Sequence, residues 1–489
     1  VDKVVVIGAG PAGLAAAAAA VQHRLPCLLV EKGGQVGGLS RTIAYRGFRF
    51  DIGPHRFFTK NRQVQQLWEE TLGDDFLSVP RLTRIYSHGR FFHYPLQLGD
   101  VLAGLGPWDS TRAALSYLKQ RGFPVAVNSY ADWITNQFGR TLYETFFRDY
   151  TAKVWGIPGE ELSPDWAAQR IRNLSLWRAI MGALDSQENG KVASLVEQFH
   201  YPRNGAGQMY TALAENVQQN GAEIAWRTAV GQVKHSLNRI TSVSLLGPRD
   251  LQEVPVSQVV ASMPITDLVR RMEPKPPDQV LHAARQLSYR SLVTVNLLLR
   301  RPAALPDQWI YLQSPDVQAG RLHISANFSP AMVPDAGLGA VSLEYFCAEG
   351  SDLWRTADST LVEIAKADLD RIGLIPSTDV LEGLVLRVEK AYPIYHWGYD
   401  KHLAVIRDWL SGFVNLHCIG RFGQFRYNNM DHAMLTGLLA VRRLLGEAVD
   451  PWAVNAEAEY HEEVPADRAP WGGLPVPVSR PEERPCAVT

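Results

Sequence analysis

Lys3-Val4-Val5-Val6-Ile7-Gly8-Ala9-Gly10-Pro11-Ala12-Gly13 is the stretch on which the fold turns, and an alanine-rich run from Leu14 to Val21 continues it. Lys3 to Ile7 is apolar without alternation, as in a strand buried on both faces of a parallel sheet. The glycines then fall at 8, 10 and 13. The first permits a tight turn, the second lets backbone approach a pyrophosphate, and the third lets a helix pack on the sheet. A helix over Leu14–His23 points its positive end at such a phosphate. Cys27–Val30 reads as a second strand ending in Glu31, eighteen positions after Gly13, where an acid accepts hydrogen bonds from ribose hydroxyls. The glycine spacing alone also fits an ordinary turn without a ligand. The order strand, loop, helix, strand, acid favours a dinucleotide.

After Glu31 comes Lys32-Gly33-Gly34-Gln35-Val36-Gly37-Gly38-Leu39-Ser40-Arg41, a second glycine-rich loop able to wrap the far side of a pyrophosphate and run on beneath a flavin. Gly47-Phe48-Arg49-Phe50-Asp51-Ile52-Gly53-Pro54-His55 follows. The succession E-x5-G-G-x3-T and F-D-x-G-x-H resembles the superfamily of FAD-containing amine oxidases, protoporphyrinogen oxidases and UDP-galactopyranose mutases. The resemblance implies FAD rather than NAD.

Bulk properties narrow the field. A chain of 489 residues is expected to form two or three interleaved domains. Lys and Arg number 49 against 50 Asp and Glu, so no broad basic field for nucleic acid is expected, although a local anion pocket is compatible with that balance. Cys27, Cys347, Cys418 and Cys486 are scattered, which argues against a disulfide framework and a thiolate metal site and suits a reducing cytoplasm. No signal peptide is expected before the first strand, and Leu14–Val21 is too short to span a membrane, which takes about 20 apolar residues.

The predicted class is α/β. A Rossmann-type FAD domain is assembled from discontinuous segments, 1–60, 195–270 and 405–450. Its second segment carries a helix (Met209–Gln218), a strand (Glu223–Trp226), a hairpin (Val230–Leu246) and a strand running into Met263-Pro264, where the superfamily closes its FAD sheet. Its third segment carries a strand over Val414–Ile419, Gly420-Arg421-Phe422-Gly423, and a helix from about Met430 to Leu445 aimed at the flavin carbonyl edge. Residues 61–194 read as a mostly helical substrate domain and 271–404 as an antiparallel-sheet substrate domain. Residues 465–489 form a Pro-rich tail.

Islands in these blocks resemble UDP-galactopyranose mutases in particular: His93-Tyr94-Pro95-Leu96-Gln97, Phe146 through Lys153-Val154-Trp155, Trp166 to Arg170, Trp309-Ile310-Tyr311 with Arg321, Tyr392-Pro393, and Gly420-Arg421-Phe422-Gly423 through Arg426-Tyr427 to Asp431-His432. The resemblance implies a diphosphate held by Arg170 and Arg321, with His55 over the flavin. Substrate contacts fall to Tyr94, Gln97, Phe146, Thr151, Trp155, Tyr311, Tyr392 and Tyr427. FAD is held by Gly8, Gly10, Pro11, Ala12 and Gly13, by Glu31 and Lys32, by Gly38, Leu39 and Ser40, and by His55, Val230, Gly420, Arg421 and Asp431. It further implies covalent catalysis by N5 of the reduced flavin, with NADPH as a possible reductant bound transiently at the substrate site. In physical terms, two arginines suit a diphosphate better than lysines, because their planar forks bind oxygens bidentately. Tyrosines add neutral donors.

Plainer readings stand beside these. Arg170 and Arg321 also fit salt-bridged structural residues, Phe146 and Trp155 fit core aromatics, His55 and His432 fit satisfied buried histidines, and each tyrosine hydroxyl fits a backbone partner. Three positions depart from the mutase pattern: Thr151 where an asparagine is expected, Phe328 where a tyrosine is expected, and Met430 within Asn429-Met430-Asp431-His432. The favoured expectation is a mutase-like isomerase of a nucleotide sugar or other diphosphate. The alternatives are an FAD-dependent oxidoreductase taking hydride from an amine, porphyrinogen or polyene, and a flavin-holding structural partner.

Overall fold

The computed structural model describes residues 3–94, 98–166, 198–248 and 251–455, with the backbone path alone at 98–103. Gln97, Arg170, Cys486 and the Pro-rich tail at 465–489 lie outside the described residues. No described helix is long and apolar enough to cross a membrane.

The first sheet gathers strands from three distant stretches of chain. Its order is Met272–Glu273, Ala229–Ser236, Arg239–Leu246, Leu251–Ala261, Lys3–Ile7, Cys27–Val30 and Glu223–Ala225, with Leu416–Cys418 also paired to Leu251–Ala261. The core pairings are parallel: Val5 lies between Leu28 and Val259, and Val260 faces His417. Val4 to Ile7 are all buried, as their unbroken β-branched run requires. The long strand Leu251–Ala261 changes partners along its length. Its first half pairs antiparallel with Arg239–Leu246 and its second half parallel with Lys3–Ile7.

The helix after the glycine loop runs Pro11–Gln22, three residues earlier than expected at its start. Pro11 explains this, because its fixed φ is preset for a first helical position and its missing N–H is not needed there. The alanines have a packing reason. Helix Met430–Leu444 crosses Pro11–Gln22 so closely that a Cβ on Gly437 would lie 2.2 Å from the Ala12 carbonyl oxygen. Ala12, Ala16 and Ala20 are buried, and larger side chains would push the crossing apart.

The second sheet runs Val380–Pro393, Tyr289–Leu299, Gly339–Cys347, Arg321–His323, Trp309–Leu312, Thr83–Ser87 and Arg90–His93. Its pairings are antiparallel except Trp309–Leu312 with Thr83–Ser87, which is parallel. The last two strands thus come from the block read as mostly helical. The block read as strands also holds helices, among them Asp358–Ile372, whose Leu361, Ala365, Leu369 and Ile372 cover the sheet. Another long-range pair, Phe76–Pro80 with Gln198–Pro202, joins segments about 120 residues apart.

Candidate active site

A cleft of about 890 Å³ runs from the Gly8–Ala12 loop past His55 to Arg321 and Tyr392, near the upper limit for ligand pockets (roughly 300–1,000 Å³). Strand ends of the first sheet form one end of it and residues of the second sheet the other.

At the first end two glycine loops lie backbone to backbone. Gly8 takes φ +94° and donates its N–H to the Val30 carbonyl at 2.8 Å. The Gly37 N–H donates to the Ala9 carbonyl at 2.8 Å, and Arg41 Nη1 donates to the Gly38 carbonyl at 2.7 Å. Gly10 has an ordinary φ of −81°, and a Cβ there would meet only the Gly38 Cα, at 3.9 Å. Gly13 is different. Its Cβ would fall 1.8 Å from the Gly8 carbonyl oxygen, so it is a packing glycine and does not line the cleft. The Glu31 carboxylate accepts from Ala9 N–H at 2.8 Å and Gly33 N–H at 2.7 Å, joining both loops at the cleft wall. This bare backbone cradle, an acid at the second strand's end and the helix start behind Pro11 fit the pyrophosphate and ribose of FAD.

The other end is built on an ion pair. Arg321 ends its loop at the start of strand Arg321–His323, directly opposite Glu344 in register. Its Nε donates to Glu344 Oε2 at 3.1 Å, its Nη2 to the same oxygen, and Nη2 also to the Tyr392 hydroxyl at 2.8 Å. Phe346 lies under the guanidinium, 5.2 Å from its carbon. Glu344 is wholly buried. Burial alone pushes its carboxyl up, but Arg321 more than offsets this and holds it below the usual range. Tyr392 and Tyr427 stack at 5.5 Å, and the Arg421 guanidinium lies 4.6 Å from the Tyr427 ring and 5.4 Å from the Tyr392 ring. Arg421 is anchored by backbone, donating from Nε to the Asn428 carbonyl at 2.9 Å.

Two supports were not anticipated. Glu344 is one. The other is Lys153, whose Nζ lies at 2.6–3.3 Å from the carbonyls of Leu312, Ser314, Val317 and Ala319. Burial lowers this ammonium to about 8, and it gathers the loop that leads into Arg321. A glutamate inside the apolar run Val341-Ser342-Leu343-Glu344-Tyr345-Phe346 was the available signal for the first. Lys153 stood in the Lys153-Val154-Trp155 island, but without a role.

His55 links the two ends. Its Nδ1 lies 3.0 Å from the Gly53 carbonyl, and burial with the nearby Arg421 charge pushes its imidazole down to about 4. At neutral pH the ring is uncharged, so Nδ1–H donates to Gly53 and Nε2 is left as an acceptor. The native state therefore binds fewer protons than the unfolded chain between pH 6.5 and about 4, and stability falls as pH drops through that window. A His55→Gln protein is expected to lose on the order of 1–3 kcal/mol less than the parent there, since cleft water screens part of the effect. Thermal midpoints at pH 6.5 and 4.5 check this. Buried His417, also near 4, cancels in the difference.

The cleft brings together Gly8, Gly10, Pro11, Ala12, Glu31, Lys32, Gly38, Leu39, Ser40, His55, Val230, Tyr311, Arg321, Tyr392, Gly420, Arg421, Tyr427 and Asp431. Other predicted residues lie outside its lining. Phe146 is in a core cluster edge-on to Phe92 at 5.2 Å. Thr151 is buried, and Trp155 is buried edge-on to Trp166, Tyr392 and Tyr427. Tyr94 packs on Tyr311 at 5.0 Å. Arg41, Arg56, Asp267, Arg271 and Lys390 line the cleft without having been singled out.

Fold and cleft together define a Rossmann-type flavoprotein. The flavin containing amine oxidoreductase family matches residues 11–445, and the chain belongs to it. Among curated relatives, a 1-hydroxycarotenoid 3,4-desaturase of Flavobacterium sp. (strain P99-3) is 24% identical over 50% of this chain and 53% of that protein. A probable UDP-galactopyranose mutase of Klebsiella pneumoniae is 24% identical over 33% of this chain and 42% of its own. The chain thus spans about half the length, or less, of these relatives. A crystal structure of reduced UDP-galactopyranose mutase superposes with a TM-score of 0.82, covering 94% of this chain and 100% of that one at 22% identity. At that identity the likeness concerns the fold.

Proposed function

We propose that this flavoenzyme binds a nucleotide-sugar diphosphate against reduced FAD and isomerises the sugar ring. The observation that carries the reading is Arg321, held by Glu344 through Nε and Nη2 and by Tyr392 through Nη2. This grip leaves Nη1 for a phosphate oxygen. Because the Tyr392 hydroxyl accepts from Arg321, its own O–H is available to donate to the same anion. Arg421 adds a second cation over the stacked tyrosines. Eight basic and four acidic side chains line the cleft. With Glu344 and Asp358 pairing Arg321 and Arg387 from behind, a smaller positive excess remains, which favours a diphosphate over a cationic amine.

Bound there in its reduced form, FAD supplies a nucleophilic N5 at the sugar's anomeric carbon. The protein's part is to bind, orient and exclude. Arg321 and Tyr392 take the charge that grows on the departing diphosphate, Tyr311 closes the side wall, and neutral His55 presents an acceptor without adding a cation. An oxidoreductase reading rests on the desaturase relative, which matches more of this chain than the mutase relative does. Titrating the dithionite- or NADPH-reduced protein with UDP separates the two. The mutase reading expects saturable UDP binding and interconversion of pyranose and furanose forms without oxygen uptake. Absent UDP binding, together with flavin bleaching by a polyene or porphyrinogen, would overturn it.

A further inference from the structure

Away from the cleft, helix Leu98–Gly122 is broken at Gly106 (φ +77°) and restarts at Pro107. One side of the second half packs inward through Ala113 and Tyr117. The opposite side carries Trp108, Leu115 and Leu118, 76%, 62% and 62% exposed, and the next turn of chain adds Phe123 at 79%. At 3.6 residues per turn, 108, 115 and 118 fall on one face. Val125 and Val127, further along the chain, are also exposed. A contiguous set of large apolar side chains in water signals a partner.

The charges around this face select the partner. Between Pro107 and Asn128 the exposed charged residues are Arg112, Lys119 and Arg121 against Asp109, and Asp109 lies 3.6 Å from Arg112. The patch is therefore basic on a chain whose net charge is −1. A self-complementary dimer contact would bring two copies of this net positive patch together. A planar anionic surface has no such conflict, and a convex helix with Trp, Leu and Phe on one face and Lys and Arg beside them is the composition of an interfacial helix. We infer that the face formed by Trp108, Leu115, Leu118 and Phe123 docks on an anionic lipid surface. The same helix packs through Ala113 on the cluster holding Phe92 and Phe146, against which Tyr311 of the cleft wall also lies. The inference is independent of the substrate reading above.

Sedimentation of the FAD-loaded full chain with vesicles tests it. Phosphatidylcholine vesicles containing phosphatidylglycerol are expected to carry the protein down at low salt, less at high salt, and pure phosphatidylcholine vesicles to leave it in solution. Trp108→Glu with Leu118→Glu is expected to abolish binding with an unchanged flavin spectrum. Lys119→Gln with Arg121→Gln is expected to weaken it roughly 25-fold, about fivefold per basic side chain. No binding to the phosphatidylglycerol vesicles overturns the inference, as does binding that both pairs of substitutions leave intact. An oligomer by light scattering that W108E/L118E converts to monomer overturns it too, by making the face a contact between copies.

Discussion

An Arg321→Met/Glu344→Gln protein is expected to load FAD and fold normally, yet to bind UDP about 10²–10⁴-fold more weakly than the parent when reduced. Two charge-assisted hydrogen bonds to a diphosphate contribute about 1.5–3 kcal/mol each, and the two N–H groups of Arg321 Nη1 can supply both. The paired substitution matters because Glu344 is wholly buried. Arg321→Ala alone would strand that carboxylate and cost about 3–5 kcal/mol of stability, so lost binding could then reflect unfolding. Arg321→Lys keeps a charge for Glu344 but loses the planar fork, and an intermediate loss is expected, with Tm close to the parent's. Isothermal titration with UDP, alongside Tm and the flavin spectrum, reads all three. If the double variant binds UDP as the parent does, Arg321 is a structural arginine and the diphosphate reading fails.

The contrast between Arg321 and its neighbours shows what a linear sequence reveals. Residues 3–31 were legible because their logic is local: a buried run, glycines at a fixed spacing and an acid at the second strand's end are all set by one βαβ unit. The Arg321 end of the cleft depends on pairing across distance. Arg321 meets Glu344 only because strands Arg321–His323 and Gly339–Cys347 place them opposite, and it meets Tyr392 from a strand three places away in the sheet. Periodicity carries no register, so the ion pair was not readable. Aromatics misled in a related way. Phe146 and Trp155 have the flat faces that a base requires, but the same faces fill cores, and here both side chains are buried with other rings around them. The alternating pattern of 280–400 similarly concealed helix Asp358–Ile372, whose apolar positions recur every three or four residues.

Two alanine substitutions three residues apart are expected to fail in opposite ways. Gly13→Ala puts a methyl 1.8 Å from the Gly8 carbonyl oxygen and 3.3 Å from Val6 Cγ1. Backbone cannot yield there without lifting helix Pro11–Gln22 off the sheet, and that helix is also locked from above by Gly437 on Ala12. The protein is expected to aggregate or melt many degrees lower, with or without cofactor, as overpacking in an enclosed core does. Gly10→Ala meets no such wall. Its φ of −81° suits any residue and its nearest neighbour would be Gly38 Cα at 3.9 Å, so the apoprotein is expected to fold with a Tm within a few degrees of the parent apoprotein. What the methyl occupies is the approach of a pyrophosphate to the loop. FAD affinity is therefore expected to fall at least about 100-fold, which removes about 2.7 kcal/mol of linked stabilisation at a fixed cofactor concentration well above both Kd values and shrinks the FAD-dependent rise in Tm accordingly. Apo Tm, holo Tm and flavin fluorescence on the two variants check the pair. Should Gly10→Ala retain FAD with parental affinity, the cofactor does not lie against this loop, and the assignment of the cleft's first end is wrong even though the fold stands.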